Sequence, residues 1–347
     1  MLKEYIGTEA LVISKILCFS INSIVLRANE VCVILSCATF LLSFHVFDCR
    51  EQTVFDFLFS RLAKGHRDQL ETFFRIKNVS VDGVMVTSDS VVKEGMKVAL
   101  LLPDHCEQAV NTKWKLIWEN EELMAVFKPP LLPVSRTTRN LYQTLISLVR
   151  RETPYVDAHL LHRLDTETSG VLLLAKNKQA DQKWKNQLEV LITRKVYHAW
   201  VYGEPSWDNK VFICELSEKQ DSTIRSQVYV VDSNNMALYI KPRLSKTVFT
   251  VLQRCGERSL VQCELVTGRK HQIRAQLAYL GHGIVGDKIY SEQGRFYLKR
   301  LNSELNEEDY DVLGSLHQLL FATEVVLNVD GVHVSIKSIH ESLGKKT

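Results

Sequence analysis

Apolar positions along the chain change period several times, and each change marks an element. Val31 to Phe47 is a 17-residue run with thirteen apolar members, the lower edge of what spans a bilayer as a helix. Ser36, Thr39, Ser43 and His45 interrupt it, Glu30 and Asp48 flank it, and no basic cluster borders it. A buried strand pair or a core helix is therefore expected, and a membrane is not. A cleavable secretory signal is not expected either, since no small-residue cleavage site follows a basic start and a short apolar core. From Thr53 to Leu102 the pattern becomes that of a compact unit. Val54, Phe55, Phe57 and Leu58 predict a short helix, and Leu70, Phe73 and Phe74 a second. Val79, Val81 and Val84 flank an Asp82-Gly83 turn in hairpin fashion, and Val91 to Leu102 is extended around Gly95.

After a linker and a leading strand over Pro103 to Trp118, a long mixed domain follows. Leu141, Leu145 and Leu148 fall at i, i+4 and i+7, which predicts an amphipathic helix ending before Pro154. A polar loop then runs into an apolar strand, Val171 to Ala175. Ala180, Trp184, Leu188 and Leu191 give a second helical stripe. Lys195 to Tyr202 alternates with Tyr197, Ala199 and Val201 on one face. Val211 to Leu265 reads as mostly extended, a large antiparallel or mixed sheet. Ile273, Leu277 and Leu280 build one more helix, with Gly281 as its C-terminal cap. The fold class expected is α+β. Its parts are an extension of unclear role over residues 1–47, a small domain over 48–103 and a large domain over 113–340.

Composition narrows the chemistry. A length of 347 residues suggests two structural units, and 46 % hydrophobic with 24 % charged residues is the balance of a soluble globular chain with a sizeable core. The net charge of +3 does not select a polyanionic partner by itself. Between Gln253 and Arg300, however, nine Lys or Arg stand against four Asp or Glu, so this stretch is a candidate phosphate-facing surface. The eight cysteines are scattered without any C-x-x-C pair, which leaves no support for a metal site or a disulfide framework and fits a reducing, cytoplasmic compartment. Neither a Walker loop nor a G-x-G-x-x-G element is present, so nucleotide cofactors lose support.

Three segments carry candidate chemistry. In His162-Arg163-Leu164-Asp165, followed by Thr166-Glu167-Thr168-Ser169-Gly170, an acid sits in a loop beside an Arg and ahead of residues that can hydrogen-bond it. Such surroundings favour its charged form, although Asp followed by Thr and Ser is also a common turn or helix cap. Tyr197 in Lys195-Val196-Tyr197-His198-Ala199 lies on the apolar face of a strand. In Thr267-Gly268-Arg269-Lys270-His271-Gln272-Ile273-Arg274, polar residues crowd the start of a helix, where amide groups favour anions. Arg274 lies beside the apolar stripe of that helix. An Arg half-turned to a core needs a carboxylate, and Asp165 is the partner expected.

In these segments the chain resembles the RluA-type pseudouridine synthases. HRLDTETSG is similar to their catalytic loop, KVYHA to their tyrosine strand, and TGRKHQIRAQLAYLGHGIVGDKIY to their third motif, in the same order and spacing. The likeness runs from about Trp118 to Ile336. The unit ahead of it resembles, more loosely, an S4-type RNA-binding fold, with Arg67 where that fold has a basic residue opening its second helix. Two departures stand out. The usual Asn-Lys-Pro segment with a following glycine appears as Phe127-Lys128-Pro129-Pro130-Leu131, and Leu316-His317 lacks the usual Ala after the histidine.

The resemblance implies a mixed, mainly antiparallel catalytic sheet and the cofactor-free isomerisation of a uridine within structured RNA, with ribosomal RNA favoured and transfer RNA open. It implies catalytic roles for Asp165, Tyr197 and Arg274. It implies RNA contacts from Arg163, which would fill the space left by a flipped nucleotide, and from His162, Lys195, Arg269, His271 and Arg67. No metal is expected, no membrane, and a monomer. A non-catalytic RNA-binding protein that has kept the fold is the alternative.

Overall fold

Among the described residues two large sheets and a two-stranded one carry the protein; one core backs the smaller of the large sheets, and the larger has a core on each face. The computed structural model describes residues 22–28, 31–46, 52–62, 64–107, 109–137 and 140–338. The chain divides into two compact units: Met1–Ala109 with Thr137–Tyr142, and Val110–Arg136 with Gln143–Thr347.

In the first unit the strands run in the order Asn22–Ala28, Val31–His45, Lys97–Cys106, Val79–Val81 and Val84–Met85, every neighbour antiparallel. The apolar run at Val31 is thus a strand, not a helix. Its C-terminal part alternates, with Leu42 and Phe44 packed on the core while Leu41, Ser43 and His45 face outward. That period of two is why it joins the sheet of this unit rather than standing ahead of it as a separate extension. Among the described residues no helix is long and apolar enough to cross a membrane.

The helix Val54–Arg61 starts where Thr53 accepts a hydrogen bond from the Asp56 amide at 3.1 Å. It buries Phe57 and Leu58 against Leu70, Phe73, Val79 and Leu100. Asp82 and Gly83, both with positive φ, close the hairpin. Arg67 does not open the helix Leu70–Arg75 as expected. It ends a separate four-residue turn, Lys64–Arg67, where its Nε donates to the Leu62 carbonyl at 2.7 Å and its guanidinium lies over the Phe59 ring.

The second unit is built on an eleven-stranded sheet among the described residues. Its main path is Tyr229–Val230, Asn209–Ser217, Arg243–Cys255, Arg258–Leu265, Ile192–Tyr202, Leu320–Val329, Ser169–Ala175, Leu123–Lys128 and Lys115–Glu119. All pairings are antiparallel except one, where Ser169 and Gly170 run parallel to Phe321 and Ala322, so the sheet is mixed and mainly antiparallel. Ser169–Ala175 is buried along its whole length. Leu172 and Leu174 enter one core with Met124, Val126, Tyr197, Ala199 and Val201, while Val171, Leu173 and Ala175 enter the core on the opposite face. A strand covered on both faces reads as a continuous apolar run, which is the pattern here.

Two helices differ from the expected stripes. Leu145–Glu152 begins only at Leu145, because Thr144 caps it by accepting from the Ser147 amide, and it ends at Thr153 ahead of Pro154. Leu141 therefore falls outside it and packs into the core of the first unit. The stripe from Ala180 to Leu191 is broken into Lys178–Lys185 and Leu188–Leu191, yet its four apolar residues still face one core. Gln272–Tyr279 is followed by Leu280 and Gly281 as expected. The helix Arg295–Asn302 had no clear signal, since its apolar face is narrow and only Phe296 is buried.

Candidate active site

The loop 162–168 joins the strand His159–Leu160 to Ser169–Ala175, and backbone geometry fixes both of its ends. At Gly170 φ is +117°, and a Cβ there would meet the Ala322 carbonyl oxygen at 2.1 Å. Only glycine can enter the strand beside that neighbour. At the other end His162 Nε2 accepts from the Leu173 amide at 3.1 Å. Burial, with Lys195 nearby, pushes this imidazole down to about 4, so it is a neutral brace. The middle of the loop is held by Lys128, fully buried, whose Nζ donates to the carbonyls of Pro129, Leu132 and Thr166, each at 2.9 Å. Three carbonyls use all three N–H donors of an ammonium. Burial lowers this group to about 7, against the pull of Asp165 and Glu167.

Arg274, in the first turn of Gln272–Tyr279, connects the loop to the third motif. Its Nη1 donates to Asp165 Oδ2 at 2.7 Å. Its Nε and Nη2 donate to the two oxygens of Asp287 at 2.6 and 2.8 Å. Asp287 is fully buried and also accepts from the amides of Ile289 and Tyr290. Gly286, with φ +81°, lets this turn pass within reach of the His317 carbonyl, which a Cβ would strike at 2.2 Å.

Burial acts to raise the Asp165 carboxyl, but Arg274 above all, with Gln318, outweighs it and holds the group below the usual carboxylate range. Asp287 is held low in the same way by Arg274. Arg274 is raised, since Asp287 and Asp165 more than offset its desolvation. The Asp165 side chain nevertheless keeps 33 % of its surface exposed, so an ionised oxygen remains open to an incoming group.

His271 sits in the left-handed region (φ 52°) just before the helix, with Nε2 3.8 Å from Asp165 Oδ2 and Nδ1 3.2 Å from the Tyr290 hydroxyl. Burial and then Arg274 push it down to about 4, so the approach to Asp165 involves a neutral ring. The Tyr290 hydroxyl is fixed by both backbone groups of Val228, and Arg274 lies over the Tyr290 ring. Tyr197 is buried on the sheet face below, and burial together with the charge of Asp165 pushes its hydroxyl up, so it stays protonated.

The remaining expected residues divide. Arg163 is exposed and has no side-chain partner among the described residues. Lys195 is half-buried beside Gly268, its ammonium lowered by burial. Arg269 is exposed, with its Nε on the Leu244 carbonyl. Arg67 belongs to the other unit. The basic stretch Gln253 to Arg300 is less free than its count suggests. Six of its nine cations, Arg254, Lys270, Arg274, Lys288, Lys299 and Arg300, are paired with acids.

Sequence reasoning missed Asp287, Lys128, Tyr290 and the partners of Glu167. One signal existed for Asp287: a buried guanidinium offers five donors, more than one half-exposed carboxylate can take.

An ionised, partly open carboxylate beside a protonated tyrosine, with its orientation set by a buried cation, can attack carbon or remove a proton. Known proteins agree with this arrangement. The family model described as RNA pseudouridylate synthase matches residues 122–279. The chain is 33 % identical over 200 residues to human pseudouridylate synthase RPUSD2, covering 55 % of this chain but 34 % of that protein. It therefore spans about a third of that relative's length. It is 32 % identical over 199 residues to the dual-specificity RNA pseudouridine synthase RluA of Vibrio parahaemolyticus, covering 55 % of this chain and 75 % of that one. The solved structure of human RNA pseudouridylate synthase domain containing 1 superposes with a TM-score of 0.52 at 21 % identity, covering 66 % of this chain and 85 % of the other, a likeness of fold. With the loop, the tyrosine strand and the arginine helix converging in this order on such a sheet, the chain belongs to the RNA pseudouridine synthases of the RluA type.

Proposed function

We propose that this chain converts a uridine within structured RNA to pseudouridine, with Asp165 at the centre. The observation that carries this reading is the ion pair of Asp165 with a buried Arg274 that is itself anchored on Asp287. The reaction breaks the N1–C1′ bond, turns the base and joins C5 to the same carbon. No atoms are gained or lost, so its balance calls for no cofactor. The nucleotide must first leave its stack, at a cost on the order of a few kcal/mol, least in a loop. Arg163, exposed and uncommitted, is suited to fill the gap, since a guanidinium stacks on bases. Asp165 then acts at the ribose, by attack at C1′ or by removal of the C2′ proton. Arg274 keeps it ionised and oriented. Tyr197, its hydroxyl kept protonated, packs on the everted base and hydrogen-bonds as the C5 proton leaves to water, while N1 takes a proton up from water, so the proton count is unchanged. Lys195, Arg269 and His271 lie along the segments that would meet the RNA backbone. The first unit, with its helices followed by a hairpin, is read as an S4-like RNA-binding module. That favours ribosomal RNA as the substrate, with transfer RNA the other candidate, for a monomer in a reducing, cytoplasmic setting.

The test is tritium release from RNA labelled at uridine C5. Asp165→Asn is expected to abolish release while RNA binding, followed by filter retention, stays close to wild type. Substantial turnover by the purified variant would refute the assignment.

A further inference from the structure

Glu167 stands two residues after Asp165, and neither the reaction above nor the family likeness gives it a task. Its carboxylate nonetheless accepts three hydrogen bonds. Lys288 Nζ donates to Oε2 at 3.0 Å, Arg300 Nη1 to Oε1 at 3.0 Å, and the Gln318 amide to Oε2 at 3.2 Å. The side chains of Glu167 and Lys288 are only 16 % and 5 % exposed. Lys288 also donates to the Leu316 carbonyl at 2.9 Å. The next loop residue, Thr168, accepts from the Gln318 side-chain amide at 2.5 Å, and Gln318 is 1 % exposed.

Three separate stretches therefore close on one carboxylate: the residue after Asp287, the helix Arg295–Asn302 and the turn that leads into Leu320–Val329. One of the contributors falls where this sequence has its own choice of residue. Gln318 replaces the usual Ala after His317, and Lys288 directly follows the Asp287 that anchors Arg274. An exposed turn would not require two cations and two amide donors. Burying such ion pairs is costly and often contributes little net stability, and what it can supply is a fixed geometry. The loop thus has one carboxylate left open and, two residues on, another fully committed.

We propose that Glu167 is a positioning residue of the reaction centre: held by Lys288, Arg300 and Gln318, it fixes the backbone from Thr166 to Thr168 and so the direction in which Asp165 faces the ribose. This rests on the reading of the chain as a pseudouridine synthase. The loop is held from one side by Lys128 through the Thr166 carbonyl and from the other by Glu167. With the second hold released, Asp165 keeps its charge and its Arg274 partner but loses its aim. A misplacement of about 1 Å can cost on the order of 100-fold in rate.

The test uses the full chain with total cellular RNA labelled at uridine C5, taken from cells lacking this protein, and measures tritium release and amide exchange. Glu167→Gln and Lys288→Met are expected to lower kcat by about 10-fold or more with apparent KM within about 2-fold. Lys288→Arg, which keeps the cation, is expected to recover most of the rate. Amide exchange over residues 166–170 should quicken in Glu167→Gln while Val171–Leu174 stays protected as in the wild type. Arg300→Gln, at a half-exposed position, is the milder probe and should show the same kcat loss in smaller degree even if the other variants fold poorly. A wild-type kcat in these variants, a loss carried by KM, or unchanged exchange in the loop overturns the proposal. If the wild type itself released no tritium, the functional reading would fail, and loop exchange alone would decide whether Glu167 fixes the loop.

Discussion

Arg274 serves two carboxylates that differ in exposure and in purpose. Asp287 takes two of its N–H groups in full burial, whereas Asp165 takes one and stays partly open. Removing the cation would leave Asp287 buried and uncompensated. Arg274→Leu is therefore expected to eliminate turnover and to cost about 3–5 kcal/mol of stability, read from urea midpoints. The titration pattern gives a second expectation. Asp165 is held below the usual carboxylate range, while His162 and His271 lie at about 4, so none of these groups changes charge between about pH 5 and 8. Lys128, which holds the Thr166 carbonyl, lies at about 7, so the pH profile of kcat/KM should be flat from about 5 up to that value and change only as this ammonium loses its proton; a limb between about 5 and 6 would contradict it. For stability the signs agree. The depressed carboxylates contribute fully above their unfolded values and lose that contribution as pH falls through the folded ones. Between about 4 and 6.5 the unfolded chain also binds more protons at the two histidines. Acid therefore weakens the fold on both counts. The pairing of Arg274 with Asp165 was legible because an Arg beside an apolar stripe needs an anion. Asp287 was not, because nothing in local spacing says that the turn after Gly286 folds back onto the same helix.

At the level of elements, the site depends on one parallel contact in an otherwise antiparallel sheet. The loop 162–168 enters its strand at Gly170 against Ala322. Gly170→Ala combines a left-handed backbone with a collision against a main-chain carbonyl. It is expected to destabilise by about 3 kcal/mol or more and to displace the loop, which calorimetry and tritium release would report together. A stable, active variant would mean that the backbone at Ala322 can give way to a methyl group. Periodicity showed most of the elements: the doubly buried strand from its unbroken apolar run, and the Tyr197 strand from its alternation. It failed where a cap overrode the pattern, as at Thr144, which leaves Leu141 outside its stripe. It also failed where an element packs mainly through ion pairs, as Arg295–Asn302 does through Arg300 and Lys299.

For the whole molecule, net charge is a poor guide to any surface that would meet a polyanion, because most cations in the richest basic stretch are already paired. Connectivity matters more. The chain leaves the large sheet unit at Thr137, lends six residues to the smaller unit and returns at Gln143. Leu141 lies in that unit's core, and the Glu107 carboxylate accepts from the amides of Leu141 and Tyr142. No single scission can therefore give two complete bodies. A protease nick introduced between 110 and 114, ahead of the strand Lys115–Glu119, should yield two bands under denaturing conditions but one peak on size exclusion, since Leu141 and Tyr142 stay held by Glu107 and the smaller unit's core. Two separate peaks would mean that the loan is dispensable.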